Sequence, residues 1–200
     1  MSTIKTYLLL VLIFCSGGLY GQQETLPVNI SVYNQSTSIP FTRFITNPLH
    51  PGIQIGTEFD EKIKNHWRFY PSVSIGYMFH RKLFQGIYLN AEVGIDYQTD
   101  MGINVKGKLG LGYLHTFATQ QEFQFNGGRY ESKADRGNAR IMPSLTLGLG
   151  YKLDRENPHS TEVYFLYQSW LEYPYSPGFI PLMTHTNLHL GTKFYPFKSK

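Results

Sequence analysis

Cysteine is all but missing from this chain. Cys15 is the only one in 200 residues, and it sits in the N-terminal stretch. Once that stretch is removed, disulfides, thiolate metal sites and a cysteine nucleophile are all excluded. Charge is also sparse, at 16% of residues against roughly 25% in ordinary soluble proteins. Mean hydropathy is only −0.26, which excludes a bundle of apolar membrane helices. What abounds is aromatic and small: 15 Tyr, 14 Phe and 19 Gly. That composition excludes a disordered chain and a coiled coil, and the length fits one domain.

The N-terminus reads as a secretory leader. Lys5 gives a positive start, the run YLLLVLIF follows, and Ser16, Gly17 and Gly18 are small. The apolar run is too short to span a bilayer. Cleavage is expected near Gly21, giving a leader over residues 1–21 and a mature domain over 22–200. The rival reading makes Cys15 an acylated residue, but Phe14 is bulky where such signals want a small side chain.

Period two runs through most of the mature chain. Trp67, Phe69, Val73, Ile75, Tyr77 and Phe79 alternate with Arg68, Tyr70, Ser72, Ser74, Gly76 and Met78. The same alternation marks residues 28–32, 53–60, 83–97, 103–113, 140–153, 162–172 and 182–194, although Tyr164, Leu166 and Trp170 blur it at 162–172. Eight strands result, an even number, and several exceed the roughly five or six residues usual in soluble sandwiches. One face is apolar, and the other carries charges, hydroxyls and glycines. In an outer-membrane barrel the apolar rows face lipid and span a band of about 25 Å. The glycines then fall where a narrow interior has little room. Short connections at residues 61–65, 98–101 and 154–160 alternate with longer ones at 34–50, 118–139 and 172–181. Short turns at the periplasmic end and long outer loops have this parity. The expected fold is all-β: an eight-stranded, up-and-down antiparallel transmembrane β-barrel.

This layout resembles the small outer-membrane β-barrel proteins of Gram-negative bacteria. The Gln-led mature start and residues 40–52 (PFTRFITNPLHPG) resemble barrels of the Bacteroidetes group. Residues 188–195 (LHLGTKFY) resemble the terminal strand read by the barrel-assembly machinery, although Pro196 to Lys200 follow where such chains commonly end on an aromatic. The resemblance implies export through the Sec pathway, insertion in the outer membrane, and contact with its lipid and lipopolysaccharide. Arg43, Arg81, Lys82 and Arg129 are the rim cations suited to that contact.

The inward parity collects Glu58, Asp60, Arg68, Glu92, Asp96, Lys106, Lys108, Arg140, Lys152, Glu162 and Lys193. Isolated buried charges are very costly, so these must pair. A lumen charge network of Glu58, Arg68, Glu92, Asp96, Lys106, Lys108 and Arg140 is expected, plugging the interior. His185, Asn187 and His189 share the inward face of the last strand. His185 and His189 lie about 13 Å apart on a strand, too far for one metal ion, and nothing in the sequence calls for a cofactor.

Lipid A deacylases are small outer-membrane barrels using a His and a Ser near the rim. Residues 184–187 (THTN) resemble their His-x-Ser-Asn pattern, with Asn187 in the serine position. The family's pair faces lipid, whereas alternation turns His185 inward and Thr184, Thr186 and Ser169 outward. A functional nucleophile–base pair of His185 with Thr184, Thr186 or Ser169 is therefore not expected. The glycine-rich segment at residues 126–129 reads as a hairpin turn, not a phosphate cradle. The basic residues are spread rather than clustered, which argues against nucleic acid despite a pI near 9.0. The leading function is non-enzymatic: a plugged barrel with a structural or surface-interaction role through long outer loops, its surface partner unknown. The alternatives are a deacylase-like barrel enzyme and a soluble, lipocalin-like ligand-binding barrel with reversed facing.

Overall fold

A computed structural model describes residues 26–196 except 43, 46, 60, 61 and 177. The expected leader, Arg43 and Asp60 lie outside the described residues. The strands are β1 (Val28–Ser36), β2 (Pro51–Glu58), β3 (Lys62–Lys64), β4 (Trp67–Phe79), β5 (Phe84–Gln98), β6 (Ile103–Ala118), β7 (Glu122–Asn126), β8 (Arg129–Lys133), β9 (Asn138–Lys152), β10 (Glu162–Glu172) and β11 (Met183–Phe194). β1 pairs with β11 and β2 pairs with β4, so the antiparallel sheet closes into a barrel of eight staves. β3 continues β2 along β4. Glu58 opposes Ser72 and Lys62 opposes Phe69, so β2 and β3 together carry one extra residue, a bulge. β7 and β8 form a separate hairpin beyond the barrel, turning at Gly127 and Gly128, both with positive φ.

The facing follows the sequence parity. Along β4 the residues alternate strictly between exposed and buried, starting with Trp67 outside. Ile75, Leu89, Leu109, Leu111, Leu147 and Leu149 also stand outside, which removes the soluble barrel with its Leu and Tyr rows inside. Aromatics gather at both rims of this apolar wall. Trp67, Phe69, Tyr97 and Tyr151 lie toward the short turns, and Tyr77, Phe79, Tyr113 and Tyr173 toward the long loops. Trp67 meets Tyr97 edge-on at 4.9 Å.

The inward glycines make room for specific rings. Tyr33 faces Gly52, Tyr70 faces Gly94, Tyr88 faces Gly76 and Tyr164 faces Gly191, each pair directly opposite across neighbouring strands. In every case a Cβ on the glycine would overlap the tyrosine ring. The rings therefore lie flat against the inner wall of a barrel too narrow to hold them upright.

The first long loop departs from expectation. It does not simply project outward; part of it lies against the outside of the barrel. Phe41 stacks on Tyr167 at 4.9 Å, Phe44 meets the same ring at 5.5 Å, and the Phe41 amide donates to the Tyr167 hydroxyl at 2.7 Å. Tyr167 is the cross-strand partner of Leu147 and Leu188, in the middle of β10. Beside it, Ser36, Thr186 and Ser169 form an outward row of hydroxyls across β1, β11 and β10. Ser38 reaches Ser36 at 3.3 Å and Thr186 at 3.2 Å. Hydroxyls facing hydrocarbon are costly unless bonded. The loop bonds Ser36 and Thr186, and it presents Ile39, Phe41, Phe44 and Ile45 instead.

The ring-on-glycine packing is testable. Gly94→Val forces Tyr70 off the wall, and overpacking of this kind costs about 1–3 kcal/mol. Gly107 has only ordinary contact space, toward Ile95, so Gly107→Ala is expected to leave the urea unfolding midpoint near wild type while Gly94→Val lowers it.

Candidate functional site: the filled lumen

Six charged side chains from six strands meet in one layer toward the short-turn end. Arg68 Nη1 lies 2.8 Å from Glu58 Oε2, and its Nη2 lies 2.7 Å from Asp96 Oδ2. Lys106 Nζ bridges Asp96 Oδ2 at 2.8 Å and Glu162 Oε1 at 2.7 Å. Lys193 Nζ bridges Glu162 Oε2 at 3.4 Å and Glu58 Oε2 at 3.3 Å. The chain of ion pairs thus closes on itself, alternating acid and base, with no member more than 5% exposed. The two staves without a charge make room for the ring or bond to it. On β1, Asn29 donates to Glu58 Oε1 at 3.3 Å. On β9 stands Gly150, where a Cβ would strike Glu162 and Lys106. Tyr70 donates to Asp96 Oδ1 at 2.8 Å, and the Arg68 guanidinium lies 4.0 Å over the Tyr70 ring.

Glu92 and Lys108 form a looser neighbouring pair at 3.7 Å, and Thr146 donates to Glu92 at 3.4 Å. Six of the seven residues expected to form the network thus lie in or beside this layer. Arg140 does not. It sits at the opposite, outer end, with its Nε 2.8 Å from Glu172 Oε1 and its Nη1 donating to the carbonyls of Pro174 and Tyr175. Strand direction explains the correction: Arg140 lies near the start of β9, at the long-loop rim. Glu162 and Lys193 complete the ring, and inward parity was the signal that marked them.

The outer half of the lumen is not filled by charges alone. Tyr33, Met78, Phe84, Tyr88, Leu114, Met142 and Trp170 fill it as one cluster. Of the β10 residues that blur its alternation, Trp170 belongs to this layer. Glu92, Lys108, Ser72 and Ser74 help line a cavity of about 20 Å³ in the interior, room for about one water molecule.

Above the apolar layer, His185 stacks on Trp170 at 4.1 Å, with Nε2 2.9 Å from Glu172 Oε2. Its Nδ1 lies 2.9 Å from Gln35 Nε2 and 3.1 Å from Thr37 Oγ1. Gln35 Nε2 can only donate, so Nδ1 accepts and Nε2 carries the proton given to Glu172. Thr186 faces outward as expected, but Thr37 enters from the end of β1. Thr37 is a hydroxyl beside His185 that the strand alternation does not reveal. Barrel closure brings Thr37 there, because β1 and β11 are neighbours. Asn187 is occupied elsewhere, accepting from Trp170 Nε1 at 3.1 Å and donating to Gln168 at 2.8 Å. His189 Nδ1 lies 3.1 Å from Ser31 Oγ. Among the described residues no group of three metal-ligating side chains comes together.

The sequence reading missed a stacked pair, His50 and His80, with ring centroids 3.6 Å apart at the outer mouth. The backbone amides of Lys82 and Leu83 donate to His80 Nδ1 at 3.4 and 3.2 Å. Burial, then the neighbouring His50 and His185, pushes the His80 imidazole down to about 4. An unfolded histidine titrates near 6.5. Unfolding or opening at this site therefore takes up a proton between those values, and stability present above pH 6.5 is lost as pH falls toward 4. Amide exchange at Lys82 and Leu83 is expected to quicken from pH 7 to pH 5, beyond the intrinsic pH effect, and His80→Leu is expected to abolish that excess.

No family model matches the chain, and no curated protein sequence matches it. Its fold is similar to solved structures of small outer-membrane barrels. Neisserial surface protein A superposes with a TM-score of 0.54 at 10% identity, over 86% of this chain and 97% of that one. The outer membrane enzyme PagL gives 0.47 at 10% identity, over 84% and 98%. Ail of Yersinia pestis gives 0.43 at 16% identity, over 86% and 100%. The chain is a closed eight-stranded antiparallel barrel, similar in fold to Neisserial surface protein A.

Proposed function

We propose that the protein is a filled, non-enzymatic barrel of a Gram-negative outer membrane, of the Bacteroidetes kind, with a structural and surface-interaction role carried by its outer loops. The observation that carries this reading is the double filling of the lumen by an ionic ring and an apolar layer. Interaction then falls to the long-loop end. There the β7–β8 hairpin holds Phe123, Phe125 and Tyr130 in the open, at 60%, 68% and 75% exposure. Exposed Arg81, Lys82 and Arg129 suit anionic lipopolysaccharide, and β11 suits recognition by the barrel-assembly machinery. The leader over residues 1–21 suits Sec export.

Brief trypsin treatment of intact cells tests the orientation. Cleavage is expected at Arg129 or Arg136, in the connection between β6 and β9. Cleavage instead at Arg155, in the β9–β10 turn, contradicts it.

A second reading is favoured by one observation. Thr37, His185 and Glu172 form a hydroxyl–imidazole–carboxylate chain, the arrangement of an activated nucleophile. Against it, Gln35 shares the same imidazole nitrogen, and His185 is fully buried. Overproduction of wild type and of Thr37→Val is expected to give the same lipid A profile. Loss of acyl chains with wild type that vanishes in Thr37→Val makes the protein a lipid-modifying enzyme.

A further inference from the structure

Along the first outer loop, residues 37–50, hydrogen bonds tie polar groups to the barrel or to the loop itself. Ser38 reaches Thr186 at 3.2 Å, and the His50 amide donates to Asn34 Oδ1 at 2.8 Å. The Thr42 amide and hydroxyl both donate to the Ile39 carbonyl, at 3.2 and 2.6 Å. The Phe41 amide donates to the Tyr167 hydroxyl. The apolar side chains do the opposite: Ile39, Phe41, Phe44, Ile45 and Leu49 are between 51% and 70% exposed. Five large apolar side chains on one short loop are costly to hold in water.

Two independent features say what covers them. The first is continuity with the lipid-facing wall. Tyr173 belongs to the outer aromatic rim, and Val163 pairs with Tyr151 of the inner one. Tyr167 lies between them on β10, so Phe41 and Phe44, resting on its ring, meet the wall between the two rims. The next outward residue down β10 is Phe165, and its cross-strand partner Leu190 is exposed beside it. The loop's apolar side thus extends the surface that lipid already covers. The second is the turn itself. Phe41 has a φ of +63°, a left-handed conformation rare for a bulky residue. The ring contact and the amide bond to Tyr167 hold it there, so the loop is fixed against the wall.

We infer that the first outer loop is a strap seated in the membrane, and that its partner is the acyl chains of the outer leaflet, met by Ile39, Phe41, Phe44 and Ile45. The inference rests on the transmembrane reading of the barrel and adds an outer loop to the lipid-contacting surface. Backbone at such a depth must have its polar groups bonded within the protein, which the Phe41 and Thr42 amides satisfy. Segments of this kind seat their apolar side about 5–10 Å into the boundary between headgroups and chains. The β7–β8 hairpin is the contrast. Its Phe123, Phe125 and Tyr130 are as exposed, but it stands beyond the barrel, in water.

The test is fluorescence quenching of single labels on the purified protein in phosphatidylcholine vesicles. Cys15 is the only native cysteine, so Cys15→Ser clears the background. Ile45→Cys reports on the strap, Leu147→Cys on the outer wall and Phe125→Cys on the hairpin, all at exposed positions. Each carries a bimane label and meets two quenchers, brominated acyl chains in the lipid and iodide in the water. The Ile45 label is expected to be quenched by brominated lipid as the Leu147 label is. Iodide is expected to quench it at least about fivefold less than the Phe125 label, as for a segment seated in the interface. Iodide quenching equal to that of the Phe125 label overturns the inference alone, provided the Leu147 label still responds to brominated lipid. Protection of the Ile45 label from both quenchers shows that protein covers the strap, a second copy for instance, and overturns it as well. A Leu147 label untouched by brominated lipid overturns the transmembrane reading and the inference with it.

Discussion

Three acids and three bases share a water-poor space no wider than an eight-stranded barrel, and each is neutralised on two sides. Glu58 lies between Arg68 and Lys193, Asp96 between Arg68 and Lys106, and Glu162 between Lys106 and Lys193. Transfer of any one charge into such an interior costs several kcal/mol unless paired. The closed alternation removes that cost for all six together, with zero net charge. It also ties β2, β4, β5, β6, β10 and β11 to one another across the lumen. Gly150, Asn29 and Tyr70 then follow as requirements: space for Glu162 and Lys106, a donor for the second Glu58 oxygen, and a donor for the second Asp96 oxygen.

The two ends of the barrel differ because the ring occupies only one of them. Toward the long loops the interior is closed by aromatic and aliphatic side chains, and His185, Glu172 and Arg140 seal the top. Toward the short turns no comparable apolar layer lies among the described residues, and a cavity reaches Lys193 and Arg68. The outer wall is uneven as well. Where β1, β11 and β10 present Ser36, Thr186 and Ser169 instead of aliphatics, the first loop folds down and re-covers the wall with Phe41 and Phe44. Each feature balances local polarity against its surroundings: pair it, bond it, or cover it.

The strand alternation was legible in sequence because period two is a local property, and β4 begins and ends at the residues the pattern marked. Individual inward charges were legible for the same reason. Their partners were not. Glu58 and Lys193 are 135 residues apart, and only barrel closure and register bring them together. Thr37 beside His185 and the His50–His80 stack are likewise products of closure. Arg140 was grouped with the wrong charges because parity gives the face of a strand but not the depth along it. The seventh strand read ambiguously because Tyr164, Leu166 and Trp170 are large, buried, inward side chains on the parity that elsewhere carries polar residues and glycines. The first loop left one trace, the break of the outward apolar rows at Ser36, Thr186 and Ser169, but nothing in sequence pairs that break with Phe41.

The dependence of the fold on the ring is measured most directly by a double-mutant cycle on Lys106 and Asp96, read as urea unfolding free energy in lipid vesicles. Lys106→Met alone leaves Asp96 and Glu162 short of a cation and is expected to cost about 3–5 kcal/mol. Lys106→Met with Asp96→Asn restores the charge balance, and the pair is expected to cost clearly less than the sum of the two single changes. Strictly additive losses, or a Lys106→Met protein as stable as wild type, contradict a cooperative ring at the centre of the barrel.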